Sequence, residues 1–448
     1  MDSTALLERQ VNTRGDRSER LLRLLILLLF LERLAFLLLI GPGEVSGGDD
    51  VAYIQSGILF AARGVISVWT ECPTALIMPG ITLVTGALSR LFGEGVAYLT
   101  AVKLVWMALG SLSALFLYKA MRLWLPGGWA LFAAAALLMP NRAWMDTIIS
   151  TETPYTFFFL ANFYYMLKLR WDRSLRCTLL YTGSFVLALL FRANIVVMPA
   201  FALLYLLLCR IDRRELLRRG ALFLAVAALC LTPWAVRNYR VFDAFIPISY
   251  GAGNPTLKGT YQGSTAPADE TLDYETNVER VIREKYARYY DEDGNFLNES
   301  YDQYVGAMRD RLKAGYRMRV WAERDLRGFL RAFLWEKPSC MLAWIYYWGP
   351  WAEKVIPFVS VFSKLNFVVC ALGVPAALLL KRKREILLFL CAVYWVNLYI
   401  IGFSYAVERY AALLMPLRYM AGAVSLYLLC SKLPLRKGAV AARPPQAP

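Results

Sequence analysis

The chain has 448 residues, 58% of them hydrophobic and 14% aromatic, at a mean hydropathy of +0.43. That density of long apolar runs excludes a soluble globular class and indicates an all-α polytopic membrane protein. The net charge of +16 is spread in short Lys/Arg clusters between apolar runs, which speaks against nucleic acid as a partner and gives the positive-inside pattern of a membrane chain. There is no His, so imidazole-based zinc sites and His-activated nucleophiles are excluded. The eight Cys form no C-x-x-C pair and read as small core residues; only Cys72 and Cys340 fall outside apolar runs.

In chain order, a polar, basic N-terminal arm (1–23) precedes the first expected span, 24–40. Glu32 and Arg33 lie inside that span and need each other or a neighbouring helix as partner. A first outer loop follows, 41–96, in which 51–63 and 77–91 have amphipathic helical spacing and are expected to lie in the membrane interface. Further spans are expected at 97–119, 129–140, 147–167, 178–191, 195–208, 221–236, 356–380, 386–401 and 410–430. With the first this makes a bundle of about ten. Every second loop is basic: Lys119 and Arg122, Lys168 to Arg176, Arg210 to Arg219, Lys381 to Arg384, and Lys432 to Lys437. Those loops and both termini are therefore expected in the cytoplasm, and the 41–96 loop, the short 141–146 turn, Arg192, the long 237–350 segment and Glu408 on the outer side of a plasma (inner) membrane. The transmembrane region 24–260 is followed by a small outer helical block, 261–340, with helices expected at 271–289 and 301–330 around a solvated acidic turn, 291–295. A C-terminal transmembrane region, 341–430, and a Pro-rich cytoplasmic tail, 431–448, complete the chain.

The residues suited to chemistry collect on the outer side. Asp49 and Asp50 are adjacent at a helix start, where they point about 100° apart, so one can face a reactive centre while the other caps the helix. Glu71 precedes Pro73 and reads either as a catalytic acid or as a solvated loop acid. Asp146 reads either as a catalytic acid or as a plain helix cap, and Glu152 lies deeper and needs a partner. Arg192, Arg237 and Arg409 run against the positive-inside bias, so each needs a counter-anion. An internal carboxylate would serve, and so would a phosphate, which guanidinium binds bidentately. The turn Gly251-Ala252-Gly253-Asn254 lets backbone approach a sugar or phosphate closely.

These motifs, in this order, resemble those of the GT-C class of polyprenyl-phosphate-sugar-dependent membrane glycosyltransferases, in particular the bacterial relatives of the protein O-mannosyltransferase and lipid A aminoarabinose transferase families (glycosyltransferase family 39-like). The matching residues are Asp49-Asp50 with Tyr53, then Glu71, Pro73 and Pro79-Gly80, then Arg192. They continue with Pro233-Trp234 leading to Arg237-Asn238-Tyr239 and Gly253, and end with Arg409-Tyr410 and Pro416. The second acid is Asp50 where the family often has Glu, and the His that some members place near the Pro is absent. The resemblance implies a GT-C-like bundle with outer interfacial helices. It implies transfer of a sugar from a polyprenyl-phosphate carrier to a glycan, lipid or protein acceptor, with the bilayer and no nucleic acid as partner. On that pattern Asp49 is the main catalytic carboxylate, Arg192, Arg237 and Arg409 hold the donor phosphate, and Tyr53, Asn238, Tyr239, Gly253, Asn254 and Tyr410 line the substrate site. No cofactor is required, although two or three of the carboxylates could hold a divalent ion. The rival class is a multi-span transporter or flippase, which would place its charges near the bilayer midplane.

The orientation is testable with single Cys residues at Ser46 and Ser300 in a Cys-free background: both should react with a membrane-impermeant thiol reagent in intact cells, and one at Ser431 should not. Labelling at Ser431 but not Ser46 would put the acids in the cytoplasm.

Overall fold

The computed structural model describes residues 17–342, 345–381 and 383–430; the expected arm and tail lie outside them, except for 17–23. Among these residues the chain is helical, with one isolated antiparallel bridge, Tyr290 to Phe296, in place of any sheet. The helices are α1 (Arg17–Ile40), α2 (Asp49–Arg63), α3 (Gly80–Phe92), α4 (Val96–Arg122), α5 (Gly127–Ala135), α6 (Pro140–Thr147), α7 (Glu152–Lys168), α8 (Leu175–Phe191), α9 (Met198–Leu208) and α10 (Arg213–Phe242). Then come α11 (Gly253–Gly259), α12 (Arg280–Lys285), α13 (Glu299–Arg324), α14 (Leu326–Arg331), α15 (Lys337–Cys340), α16 (Ala352–Leu380), α17 (Arg384–Ser404), α18 (Glu408–Ala411) and α19 (Met415–Cys430). Four of them, α4, α10, α16 and α17, are long and apolar enough to cross a membrane. Five expected spans correspond to shorter apolar segments: 127–138, α8, α19, the 193–208 stretch that includes α9, and α7 of 17 residues.

Departures from the expected pattern have local causes. Residues 141–146, expected as an outward turn, form the buried helix α6, started by Pro140 in its first turn where a missing N–H costs nothing. The 271–289 stretch is broken into short π, α and 3₁₀ pieces instead of one helix. The last expected span is split, with α18 ending before Pro416 in the first turn of α19. The 301–330 helix is found as α13 and α14, each started by a side-chain cap, Asn298 accepting from the Tyr301 N–H and Asp325 from the Gly328 N–H. The two amphipathic segments of the first outer loop are α2 and α3. They pack closely because Gly57 and Gly86 face each other's helix, where a Cβ would come within 2.6 Å of Thr85 and 2.5 Å of Phe60. Cys72 and Cys340 are free thiols. Ser300 is buried, donating to the Pro73 carbonyl at 2.9 Å, so the labelling position in the outer block moves to the exposed Asp293.

Asp146 sits fully buried where α1, α4 and α6 meet. Arg33 donates to its Oδ2 through Nε at 2.9 Å, and Arg142 pairs with Oδ1 at 2.8 Å, one turn away on the same helix. Thr153 donates to Oδ1 at 2.7 Å. Arg33 also reaches Glu32 at 3.0 Å, so the expected pairing and the neighbouring-helix pairing both occur. Gly110 on α4 makes room for the carboxylate, since a Cβ there would lie 2.2 Å from Oδ2. Removing the shared carboxylate would leave two buried guanidinium groups without their anion. Asp146→Ala should therefore destabilise the chain by about 3–5 kcal/mol, the usual scale for breaking a buried pair. A denaturation midpoint in detergent equal to that of the wild type would show that this cluster does not hold the helices together.

Candidate functional site

The site is assembled around Glu152 at the start of α7, which is 1% exposed. Its Oε1 takes Arg192 Nη1 at 2.8 Å and Arg409 Nε at 2.9 Å. Arg192 leaves the end of α8 in extended conformation and also donates to Thr151 Oγ1 at 3.2 Å. Its guanidinium stacks over the Tyr410 ring, 4.7 Å from the centroid. Arg409 lies in α18, and its Nη2 donates to Asp49 Oδ2 at 2.5 Å. The result is a chain of alternating charge, Arg192–Glu152–Arg409–Asp49, drawn from four separate segments. The Glu152 carboxylate, outweighing burial, pushes Arg409 further above its ordinary value, with Asp49 adding to the effect. Arg409 is thus a fixed cation.

Asp49 and Asp50 divide their tasks as helix geometry allows. Asp50 is 3% exposed, and its carboxylate accepts from the backbone N–H of Ser46 at 2.5 Å, Gly48 at 2.9 Å and Val51 at 3.0 Å, tying down the turn that opens α2. Lys103 on α4 holds the same loop from below through the Pro42 and Glu44 carbonyls. Asp49 is 34% exposed and free of that duty.

Two cavities meet at the Asp49–Arg409 pair. The larger, of about 1040 Å³, is lined by Asp49, Tyr53, Arg192, Arg409 and Tyr410 on one side and by α11 and α13 on the other. The smaller, of about 510 Å³, shares Asp49, Tyr346 and Arg409 with it and is lined further by Asp50, Lys103, Trp144 and Trp348. Of the residues singled out from sequence, Asp49, Asp50, Tyr53, Arg192, Arg409, Tyr410 and Asn254 line one or both cavities. Glu71, Asp146, Arg237, Asn238, Tyr239 and Gly253 line neither. Glu71 is exposed and pairs with Arg63 at 3.4 Å. Asp146 is enclosed in its own arginine cluster. Arg237 reaches the Ile66 carbonyl at 3.0 Å, the Thr74 carbonyl at 2.9 Å and Asn238 Oδ1 at 2.9 Å, so it staples α10 to the first outer loop. Asn238 donates to Ile246 O and Tyr239 is exposed. Gly253 lies against α13, where its missing Cβ is needed.

Sequence reasoning missed the α13 contribution, Asp302, Gln303 and Asp310, and it missed Trp69 and Lys258. A usable signal was present for α13: Gln303, Gly306, Ala307 and Asp310 recur at helical spacing, with small residues where the wall must come close. For a divalent ion the donor set is poor. Among the described residues no three His, Cys, Asp or Glu side chains gather, and Asp49 and Glu152 are each engaged by arginine.

No family model matches the chain, and no curated protein matches it. Solved structures do. The chain is similar to ArnT from Cupriavidus metallidurans in the apo state, at 17% identity over 89% of this chain and 77% of that one, with a TM-score of 0.40. It is similar to the same organism's ArnT bound to undecaprenyl phosphate, at 16% identity over 90% and 77%, with a TM-score of 0.44.

The two classes of outer arginine should separate experimentally. Arg237→Met removes a charged donor from two carbonyls and should destabilise by about 2–4 kcal/mol, at about 1.5–3 kcal/mol per such bond without additivity, while leaving phosphate-bearing ligands bound normally. Arg409→Lys keeps the charge but loses the fork that spans Glu152 and Asp49, so it should weaken such ligands as well as lower melting. Equal loss of ligand affinity in both variants would return Arg237 to the site.

Proposed function

We propose that this chain is a membrane glycosyltransferase that moves a sugar from a polyprenyl-phosphate carrier to an acceptor hydroxyl on the outer side of the inner membrane. The observation that carries this is the convergence of Asp49, Arg192 and Arg409 on one large cavity beside the apolar helices. An acid at hydrogen-bonding reach of the cavity can take the acceptor's proton, and two guanidinium groups can receive a departing phosphate. In the step itself the acceptor oxygen bonds the sugar's anomeric carbon and its proton passes to Asp49. The bond from that carbon to the carrier phosphate breaks, and the electron pair leaves with the phosphate. Outside the cytoplasm there is no nucleotide-sugar pool, so a lipid-linked donor suits a site on this face. The basic-loop alternation supports that orientation, and with it a bundle of about ten spans, the shorter apolar helices completing the four long ones.

The Arg409–Asp49 pair suggests an order for the reaction. Arg409 donates to Asp49. A phosphate arriving beside Arg192 competes for Arg409, whose Nε and Nη2 are otherwise committed to Glu152 and Asp49. Asp49 is then released to the acceptor. The transporter reading would need charge facing a path through the bundle. The deep Asp146 cluster lines neither cavity, so it gives that reading no support.

Purified protein incubated with a polyprenyl-phosphate hexose or pentose should release polyprenyl phosphate. Asp49→Asn should lower turnover by roughly two to four powers of ten, the scale of a general base, with donor affinity retained. Near-normal turnover in Asp49→Asn would remove the base from this position, and no release from any such donor by the wild type would remove the activity itself.

A further inference from the structure

The far wall of the large cavity carries no part of the charged chain. It is built from Asn254 and Lys258 on α11 and Asp302, Gln303 and Asp310 on α13. Asn254 Nδ2 donates to Asp310 Oδ2 at 3.0 Å, whereas the side chains of Asp302 and Gln303 have no hydrogen-bonding partner among the described residues. Arg309 also lines this wall and is bound to Glu279 at 3.1 Å, so two carboxylates stand against one lysine and one arginine and the wall is close to neutral. A neutral wall of this kind gives an anionic headgroup no net attraction.

Trp69 lines the same cavity. Its side chain is 53% exposed and its φ is +66°, a backbone conformation that costs a bulky residue about 1–2 kcal/mol. Such strain persists only where the surroundings impose it. A flat apolar ring together with a planar amide and carboxylates is complementary to a sugar: the ring covers the C–H face, and the amide and carboxylates pair with hydroxyls that both donate and accept. The volume, about 1040 Å³, lies at the upper end of the range for ligand pockets, which leaves room for two substrates.

The wall is held rigidly to the reactive side. A Cβ on Gly253 would lie 2.2 Å from the Ala307 carbonyl, so α11 and α13 touch backbone to backbone. The buried Lys337 donates to the carbonyls of Gly259 at 3.0 Å, Phe403 at 3.0 Å and Ser404 at 2.9 Å, its ammonium pulled down to about 8 by burial. Gln262 and Ala406 exchange two further bonds at 2.8 and 2.9 Å. The α11 end is thereby fastened to the segment that runs on to Arg409.

We infer that Trp69 and the Asn254, Asp302 and Gln303 wall form an acceptor subsite for a saccharide, so that the acceptor is a glycan and not a lipid phosphate or a protein hydroxyl. Its acceptor role rests on the glycosyltransferase reading; its binding of saccharide does not. The test is an array of neutral glycans probed with the labelled full-length chain in detergent, as wild type, Trp69→Ala and the Asp302→Ala/Gln303→Ala double variant, with sugar-free polyprenyl phosphate binding and melting temperature measured alongside. The wild type should retain at least one glycan class. Each variant should weaken it by about tenfold or more, the scale of one or two lost contacts, with polyprenyl phosphate binding and melting unchanged. No glycan retained by the wild type, or equal retention by both variants, overturns the subsite. Weakened binding of a polyprenyl-phosphate sugar relative to sugar-free polyprenyl phosphate would instead assign the wall to the donor's sugar and overturn the acceptor role. Intact glycan binding without polyprenyl phosphate binding would strike the glycosyltransferase reading alone.

Discussion

A carboxylate with 1% exposure beside apolar helices cannot stand alone, and four segments of this molecule are arranged around satisfying the one on Glu152. Taking a charge out of water costs several kcal/mol even after relaxation, and only close, well-directed partners offset it. Arg192 and Arg409 supply those partners from the end of α8 and from α18, which fixes the start of α7 against both. Because Arg409 has further donors, it then reaches Asp49, 360 positions away in sequence, and fixes the start of α2 as well. The convergence of four distant segments is thus a consequence of neutralising one buried anion.

The Asp146 cluster shows that the same chemistry does not by itself make a site. There too one carboxylate bridges two arginines, but side-chain exposure is 0–1% throughout and the cluster lines neither cavity. In the Glu152 chain, exposure rises along the sequence of charges, from 1% at Glu152 to 24% at Arg409 and 34% at Asp49. A buried anchor thus holds a partly solvated end in place.

Much of this was legible in the sequence, and the limits have physical reasons. Apolar run length and amphipathic spacing are carried by side chains, so α1, α4, α8, α10, α16, α17, α2 and α3 were readable from them. Outer arginines announce that each needs an anion, and Glu152 that it needs a cation, but residue type does not say which meets which. Arg192 and Arg409 found Glu152, while Arg237 found the carbonyls of Ile66 and Thr74. A carbonyl partner leaves no mark in sequence because every residue has one. For the same reason the outward turn expected at 141–146 concealed a buried helix: Asn141, Arg142 and Asp146 look solvated until Arg33 and Gly110 are placed beside them. Trp69 was invisible because its positive φ belongs to the loop and not to the residue.

The charge sum sets the final constraint. Asp49 and Glu152 against Arg192 and Arg409 total zero, so this cluster by itself offers an anion no net field at a distance. For the proposed phosphate site, attraction then comes from rearranging which oxygen each guanidinium faces. Glu152 is buried and holds both arginines, so it is the partner least able to let go, whereas the Asp49 contact is the one open to water. Competition therefore falls on the bond between Arg409 and Asp49, the contact shared by the two cavities. A neutral cluster of this kind gives distant anions little attraction and can respond only to one presented at close range.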